Sequence, residues 1–382
     1  LEKKEPKMGR EPRIAKEGNM AAKGKTVPKK KVEIKKVVTV IVVLAVIVAG
    51  VLGIKFLTGG IKPTLEFQKG MGYCSWSKNR YEGKTSESSL KAMEATGTDH
   101  TAILVTWYQT NCWSGDIRRL GTTPSDESLI YAIRKAHELG MKVMLKPHLD
   151  LIDKSDGSWR GEIGCLKETS WESWFNNYTD FIMHYVDIAK KEKVELFCIG
   201  NELSTAATTK GYFWKVLVRK IRKRYSGLLT YAAHWDRYQD IRFWDVLDYV
   251  GINPYFPLSE EMNPTYEQLK DGWTKWVREM EEFQARVRKP IIFPEAGCNS
   301  CDGAVIRPWE HTPRREINLE LQANYYKVLM EIFFEKEWYY GQYWWYWGTN
   351  PDMGGLSNRS FIPQNKPAEK VVKEWYAKRV LR

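Results

Sequence analysis

Two short apolar runs in this 382-residue chain each lead into a glutamate: Leu196-Phe197-Cys198-Ile199-Gly200 into Asn201-Glu202, and Pro290-Ile291-Ile292-Phe293-Pro294 into Glu295-Ala296-Gly297. Continuous apolar runs of this length read as strands buried on both faces, the kind found in parallel sheets. A polar residue where such a strand leaves the core stands at the end where parallel α/β proteins keep their chemistry. Paired carboxylates, one protonated and one ionised, are the working parts of glycosidic-bond hydrolysis. The acid must hold its proton near neutral pH, which burial and a neighbouring negative charge supply. A single glutamate at a strand end is more often a structural partner for lysine or arginine. The pair, each on its own strand, carries the expectation.

The elements that must position the pair alternate along the chain. Strand-like runs lie at 70–74, 101–107, 142–145, 196–199, 228–233, 249–253, 290–293 and 341–345. Between them the helical pattern is clearest after Thr123-Pro124-Ser125-Asp126, read as an N-cap with proline in the first turn. Leu129, Ile130, Ile133, Ala136 and Leu139 then share one face, and Gly140 closes the helix. Further helices are expected over 171–191, 213–224, 266–287, 317–334 and 366–378. Eight strands alternating with helices, with no glycine-rich phosphate loop after the first, predict a closed (β/α)8 TIM barrel of class α/β rather than a Rossmann sheet. Glu202 and Glu295 then end strands four and seven, facing each other across one barrel mouth.

The net charge of +12 comes mostly from the N-terminus. Residues 1–36 hold thirteen Lys/Arg against five Glu, which is +8 and leaves +4 for everything after. The body is near balance, and its charge makes no case for nucleic acid. Residues 37–54 carry no charge, and with Phe56 and Leu57 the stretch reaches the roughly 20 residues that span a bilayer. The basic flank before it keeps that side cytoplasmic. The expected organisation is a cytoplasmic tail (1–36), a transmembrane signal-anchor (37–57), a linker (58–66) and an extracytoplasmic catalytic barrel (67–382) on the cell membrane. A cleaved signal peptide is the competing reading, with Ala49, Gly50 and Gly53 as small residues for a cleavage site. The 17 tryptophans suit sugar-stacking platforms, although about two-thirds are expected to be packing.

In its ordered motifs the chain resembles the clan A glycoside hydrolases, and in detail the family 113 β-mannanases. The matching segments are Gly70-Met71-Gly72-Tyr73, Ala102-Ile103-Leu104-Val105-Thr106-Trp107-Tyr108-Gln109, Thr123-Pro124-Ser125-Asp126 and Leu145-Lys146-Pro147-His148. Further on come Trp159-Arg160-Gly161-Glu162-Ile163, Gly200-Asn201-Glu202 and Phe293-Pro294-Glu295-Ala296-Gly297. The resemblance implies a retaining endo-β-1,4-mannanase with Glu202 as acid/base and Glu295 as nucleophile. It further implies that Asn201 bonds the hydroxyl beside the anomeric centre and that Tyr255 orients the nucleophile. Gly72 and Cys74 depart from the residue types expected in the first strand.

Other residues are expected to contact substrate. Lys146 and His148 close the third strand; a Schiff-base role for the lysine is the lesser alternative to donating a hydrogen bond to sugar. Trp159 and Arg160 sit in the loop that follows, His234 and Trp235 come after the fifth strand, and Trp345 and Trp347 end the eighth, with Trp345 preferred as the subsite floor. Trp76 and Trp107 are platforms or core. His148 and Asp150 lack a third ligand, so neither metal nor cofactor is expected. The six cysteines allow fifteen pairings; Cys198 reads as a buried thiol, and Cys298-Asn299-Ser300-Cys301 as a local disulfide or two free thiols. The expected partners are polysaccharide and, through the anchor, the lipid bilayer, with the protein a monomer. A different sugar (xylan, glucan or a manno-oligosaccharide) and a catalytically silent polysaccharide-binding barrel are the rival readings. The presence of both glutamates speaks against the second.

Overall fold

The apolar runs form eight strands: β1 (Gln68–Cys74), β2 (His100–Gln109), β3 (Lys142–Leu151), β4 (Leu196–Asn201), β5 (Leu228–His234), β6 (Val250–Asn253), β7 (Ile291–Ala296) and β8 (Tyr339–Gly348). In this computed structural model, which describes residues 64–164, 168–311 and 315–380, the strands pair in parallel in chain order. β8 returns to β1 and closes the barrel. Around it lie α1 (Lys84–Glu94), α2 (Asp126–Glu138), α3 (Glu168–Lys191), α4 (Ser204–Thr209), α5 (Gly211–Arg222), α6 (Tyr266–Val287), α7 (Leu319–Phe333) and α8 (Pro367–Tyr376). Between β5 and β6 the chain makes only two single 3₁₀ turns, Tyr238–Asp240 and Trp244–Val246.

Local chemistry sets the helix ends. The α2 cap is Ser125, two residues later than expected; its side chain accepts from the Ser128 amide, while Thr123 Oγ1 donates to the Thr106 carbonyl. Thr265 and Gln268 form a reciprocal capping box at the start of α6. Helix α1, with a glycine rather than a capping side chain at its start, was absent from the expected elements.

Two cores result. Alternate strand residues, among them Ala102, Met144, Cys198, Leu228, Ile292 and Tyr343, fill the barrel lumen. Their neighbours in sequence, such as Ile103, Leu145, Phe197 and Leu229, face outward into a continuous shell between barrel and helices. Burying both faces is why the strands read as unbroken apolar runs. Five cysteines lie among the described residues and all are buried; Cys74, Cys198, Cys298 and Cys301 are free thiols there.

The basic tail and the expected anchor at 37–57 lie outside the described residues. No helix among the described residues is long and apolar enough to cross a membrane.

An ion cluster sits where the strands begin. His100 bonds Asp99 Oδ1 at 2.6 Å through Nδ1 and faces Glu66 Oε1 at 3.4 Å through Nε2, and Glu66 also pairs with Lys142. The His100 bond and the Lys142 contact draw the Glu66 carboxyl down to about 2 against the cost of partial burial. Burial works against a charged His100, but the two carboxylates outweigh it and raise its pKa above the ordinary 6.5. A raised folded-state pKa stabilises below the unfolded value, and that contribution disappears as pH rises through the folded value. Thermal denaturation should therefore show the wild-type Tm falling above pH 6.5 relative to a His100→Gln variant. Parallel Tm curves for the two proteins would mean that His100 carries no such linkage.

Candidate active site

The site is built by strand alternation and by three interruptions of it. Along β3 the period of two puts Met144 in the lumen core, Lys146 one layer above and His148 at the mouth, with Leu145 and Leu149 outward. On β4, Cys198 pairs with Thr230 and Asn201 with Ala232, so three steps oppose two. β7 repeats this, with Phe293 beside Gln342 and Ala296 beside Trp344. One extra residue in each strand breaks the alternation just before or at the glutamate. Ile292 faces the lumen and both Phe293 and Ala296 face the helices, which leaves room between them for Glu295 to turn inward. A Cβ on Gly200 would meet Tyr178, Trp214 and Tyr231, so this position faces the outer shell. Glu202 itself has φ of 54°, a left-handed conformation that costs a non-glycine residue about 1 kcal/mol or more and concentrates at functional sites.

Both carboxylates line one cavity of about 1090 Å³ at the barrel mouth. Glu295 is 4% exposed and bonds the Lys146 ammonium through Oε1, while the Tyr255 hydroxyl donates to Oε2 at 3.1 Å. Burial pushes the Glu295 carboxyl above its ordinary value; Lys146 pulls it back down, and the Glu202 charge adds to the rise. Burial and the Glu295 charge keep Tyr255 a neutral donor. Glu202 accepts from Arg160 Nη1 at 3.2 Å and from Asn253 Nδ2 at 3.1 Å, and Asn253 Nδ2 also reaches Asn201 Oδ1 at 3.2 Å. Burial, and then Lys146 and Arg160, hold His148 neutral, its Nε2 3.6 Å from Glu295 Oε1.

Aromatic rings flank the carboxylates in two sets. Trp345 stacks on His148 with centroids 6.0 Å apart and planes 6° apart, and Trp76 and Tyr346 extend from it. On the other side Trp159 meets His234, followed by Trp235 and Trp309. Two of the tryptophans offered as sugar contacts do not line the cavity: Trp107, read as platform or core, and Trp347. Trp107 follows the outward parity of Ile103 and Val105, and its indole donates to the Tyr185 hydroxyl at 2.6 Å outside the barrel. Trp347 is 1% exposed and donates to Ser89, because β8 carries three steps against two between Trp344 and Trp347. Strict alternation would have set Trp347 beside Trp345. Lys146 is not among the residues that line the cavity; its ammonium bonds the Glu295 carboxylate.

Residues 71–366 match Glycoside Hydrolase Family 113. The chain belongs to that family. It is therefore a glycoside hydrolase, acting on polysaccharide. A β-1,4-mannanase of family 113, solved as a complex, is 29% identical over 82% of this chain and 100% of its own, with a TM-score of 0.73. The family 113 β-mannanase of Alicyclobacillus acidocaldarius, in complex with ManMIm, is 27% identical over 83% of this chain and 99% of its own, at 0.74. A Faecalibacterium prausnitzii β-glucuronidase shares the fold alone, 13% identical over 82% of this chain and 49% of its own, at 0.56. No curated protein matches the chain.

Several residues of this family 113 site escaped the sequence reading. Asn253, which holds both Asn201 and Glu202, carries one signal: it is the polar end of the apolar run 249–253. Trp309, His311 and Phe361 line the cavity from loops, where no periodicity marks them. Among the described residues, no group of three His, Cys, Asp or Glu is arranged to hold a metal.

The Lys146–Glu295 pair is testable through pH. In Lys146→Met the buried Glu295 loses its cation, its proton affinity rises further, and the acid limb of kcat/KM moves to higher pH, with a loss of about tenfold or more on the acidic side. Activity should recover in part as pH is raised. A uniform loss at every pH would assign Lys146 to substrate contact or packing instead.

Proposed function

We propose that the protein is a retaining endo-β-1,4-mannanase acting by double displacement. Two things support the mannan assignment: membership of family 113 and likeness to β-1,4-mannanases of that family at 27–29% identity over their full length. What carries the chemistry is the arrangement of the two glutamates, in which Lys146 and Tyr255 bond the two oxygens of Glu295, and Glu202 lines the same cavity.

In the first step the Glu295 carboxylate attacks the anomeric carbon. The bond from that carbon to the glycosidic oxygen breaks, and the Glu202 proton goes to that oxygen. The leaving sugar departs neutral and a glycosyl ester to Glu295 remains. In the second step Glu202, now ionised, takes a proton from water as its oxygen attacks the same carbon, and the ester bond to Glu295 breaks. Two inversions leave the anomeric configuration retained.

Arg160 and Asn253 both donate to the Glu202 carboxylate and so fix its place at the mouth for both steps. His148 lines the cavity and its Nε2 has no hydrogen-bond partner among the described residues, which suits it to a sugar hydroxyl. A cavity of about 1090 Å³ is large enough for several linked sugars, which favours endo action.

The test is a panel of β-mannan, xylan and β-glucan, with the anomer of the first product followed by NMR. Cleavage of mannan with an initial β-anomer is expected. Preference for xylan or glucan would change the substrate, and an initial α-anomer would overturn retention. Within the same assay, Glu202→Ala should slow mannan cleavage by about 100-fold or more, yet slow activated aryl glycosides far less, because only the natural leaving group needs the proton. Equal losses on both would remove Glu202 from the acid role.

A further inference from the structure

The two aromatic sets do not stand in equivalent places. One begins at His148, which faces Glu295, and continues through Trp345 to Trp76. The other begins beside Arg160, which bonds Glu202, and runs from Trp159 through His234 and Trp235 to Trp309. The acid donates to the leaving oxygen, so the departing part of the chain is taken to lie along the set that starts beside Arg160, the partner of Glu202.

Trp309 is the outermost ring of that set. Its plane lies 18° from that of Trp235, with centroids 5.6 Å apart, so one face is covered. The ring still exposes 38% of its surface and lines the cavity. Trp235 is fixed from behind, edge-on to Trp276 at 5.7 Å and to Phe256 at 5.8 Å. The loop bearing Trp309 is clamped through the next residue. Glu310 pairs with Arg307 at 2.9 Å and Arg315 at 3.2 Å, and its carbonyl accepts from Asn299 Nδ2 at 2.5 Å. An exposed indole held this firmly, in a cavity rather than on open surface, is a preorganised stacking face.

We propose that Trp309, backed by Trp235, is a leaving-side subsite that stacks a sugar beyond the scissile bond, and that it determines how many sugars the enzyme prefers there. The proposal rests on the β-glycanase reading above. Glu310 acts as the positioning residue that keeps the ring in place.

The experiment compares wild type, Trp309→Ala and Trp309→Tyr on two substrates: a β-1,4-mannohexaose, and an activated aryl β-glycoside of the disaccharide, which places no sugar on the leaving side. The readout is the ratio of kcat/KM on the hexaose to that on the aryl glycoside. Trp309→Ala should lower this ratio by about tenfold, the scale of one lost stacking contact, and shift the cleaved bond so that fewer sugars leave. Trp309→Tyr should restore most of the ratio, and Glu310→Gln should lower it in the same direction. Equal losses on both substrates, or an unchanged ratio and bond position, would overturn the proposal. If wild type prefers another β-1,4-glycan, its hexaose and aryl glycoside replace the mannan pair. A wrong sugar and a wrong platform then give different results.

Discussion

Burial works against the charge of a carboxylate, and beside Glu295 one ammonium group opposes that cost. Glu295 and Lys146 are 4% and 1% exposed, and removing either partner from such a pair costs about 3–5 kcal/mol because the other charge is stranded. Lys146 holds its place because β3 stacks Met144 below it and His148 above it in the lumen. Tyr255 occupies the second Glu295 oxygen, which leaves the carboxylate fixed in orientation as well as charge. His148 stays neutral partly because Lys146 is already charged beside it. The lysine thus shapes the protonation of its neighbours and the floor on which Trp345 stacks.

The barrel brings the two glutamates to one cavity by a repeated local device. Regular alternation serves packing well, since it divides each strand between lumen and shell, but it ties the facing of the last residue to that of the first. An extra residue in β4, β7 and β8 releases that tie near the mouth. Glu202, Glu295 and Trp345 all lie at or just beyond these irregularities. The strained backbone at Glu202 belongs to the same pattern, with Asn253 holding the residue and its neighbour Asn201.

What the amino-acid order disclosed, and what it hid, follows from these facts. The eight strands and the two glutamates were legible because burial on both faces makes each strand an apolar run that a carboxylate then interrupts. That same double burial erases the sign of the faces. Nothing in the run 101–107 says that Trp107 looks outward, and nothing in 341–347 marks the irregularity that sends Trp347 to Ser89. Lys146 was visible as a strand-end lysine, yet its partner lies 149 positions away and had no local trace. Cap chemistry was read two residues early, because Thr123 and Ser125 are both capping residues and the choice was made by a tertiary bond from Thr123 to Thr106. Trp309 lies in a loop, where types recur without period.

The central claim is that Glu295, kept ionised in a buried site, forms the covalent bond to sugar. Mechanism-based labelling tests it most directly: the protein is inactivated with a 2-deoxy-2-fluoro-β-mannosyl fluoride, digested, and the modified peptide is sequenced by mass spectrometry. The account predicts one glycosyl adduct, on Glu295, absent from Glu295→Gln. An adduct on Glu202, or competitive inhibition with no covalent adduct at all, would contradict it.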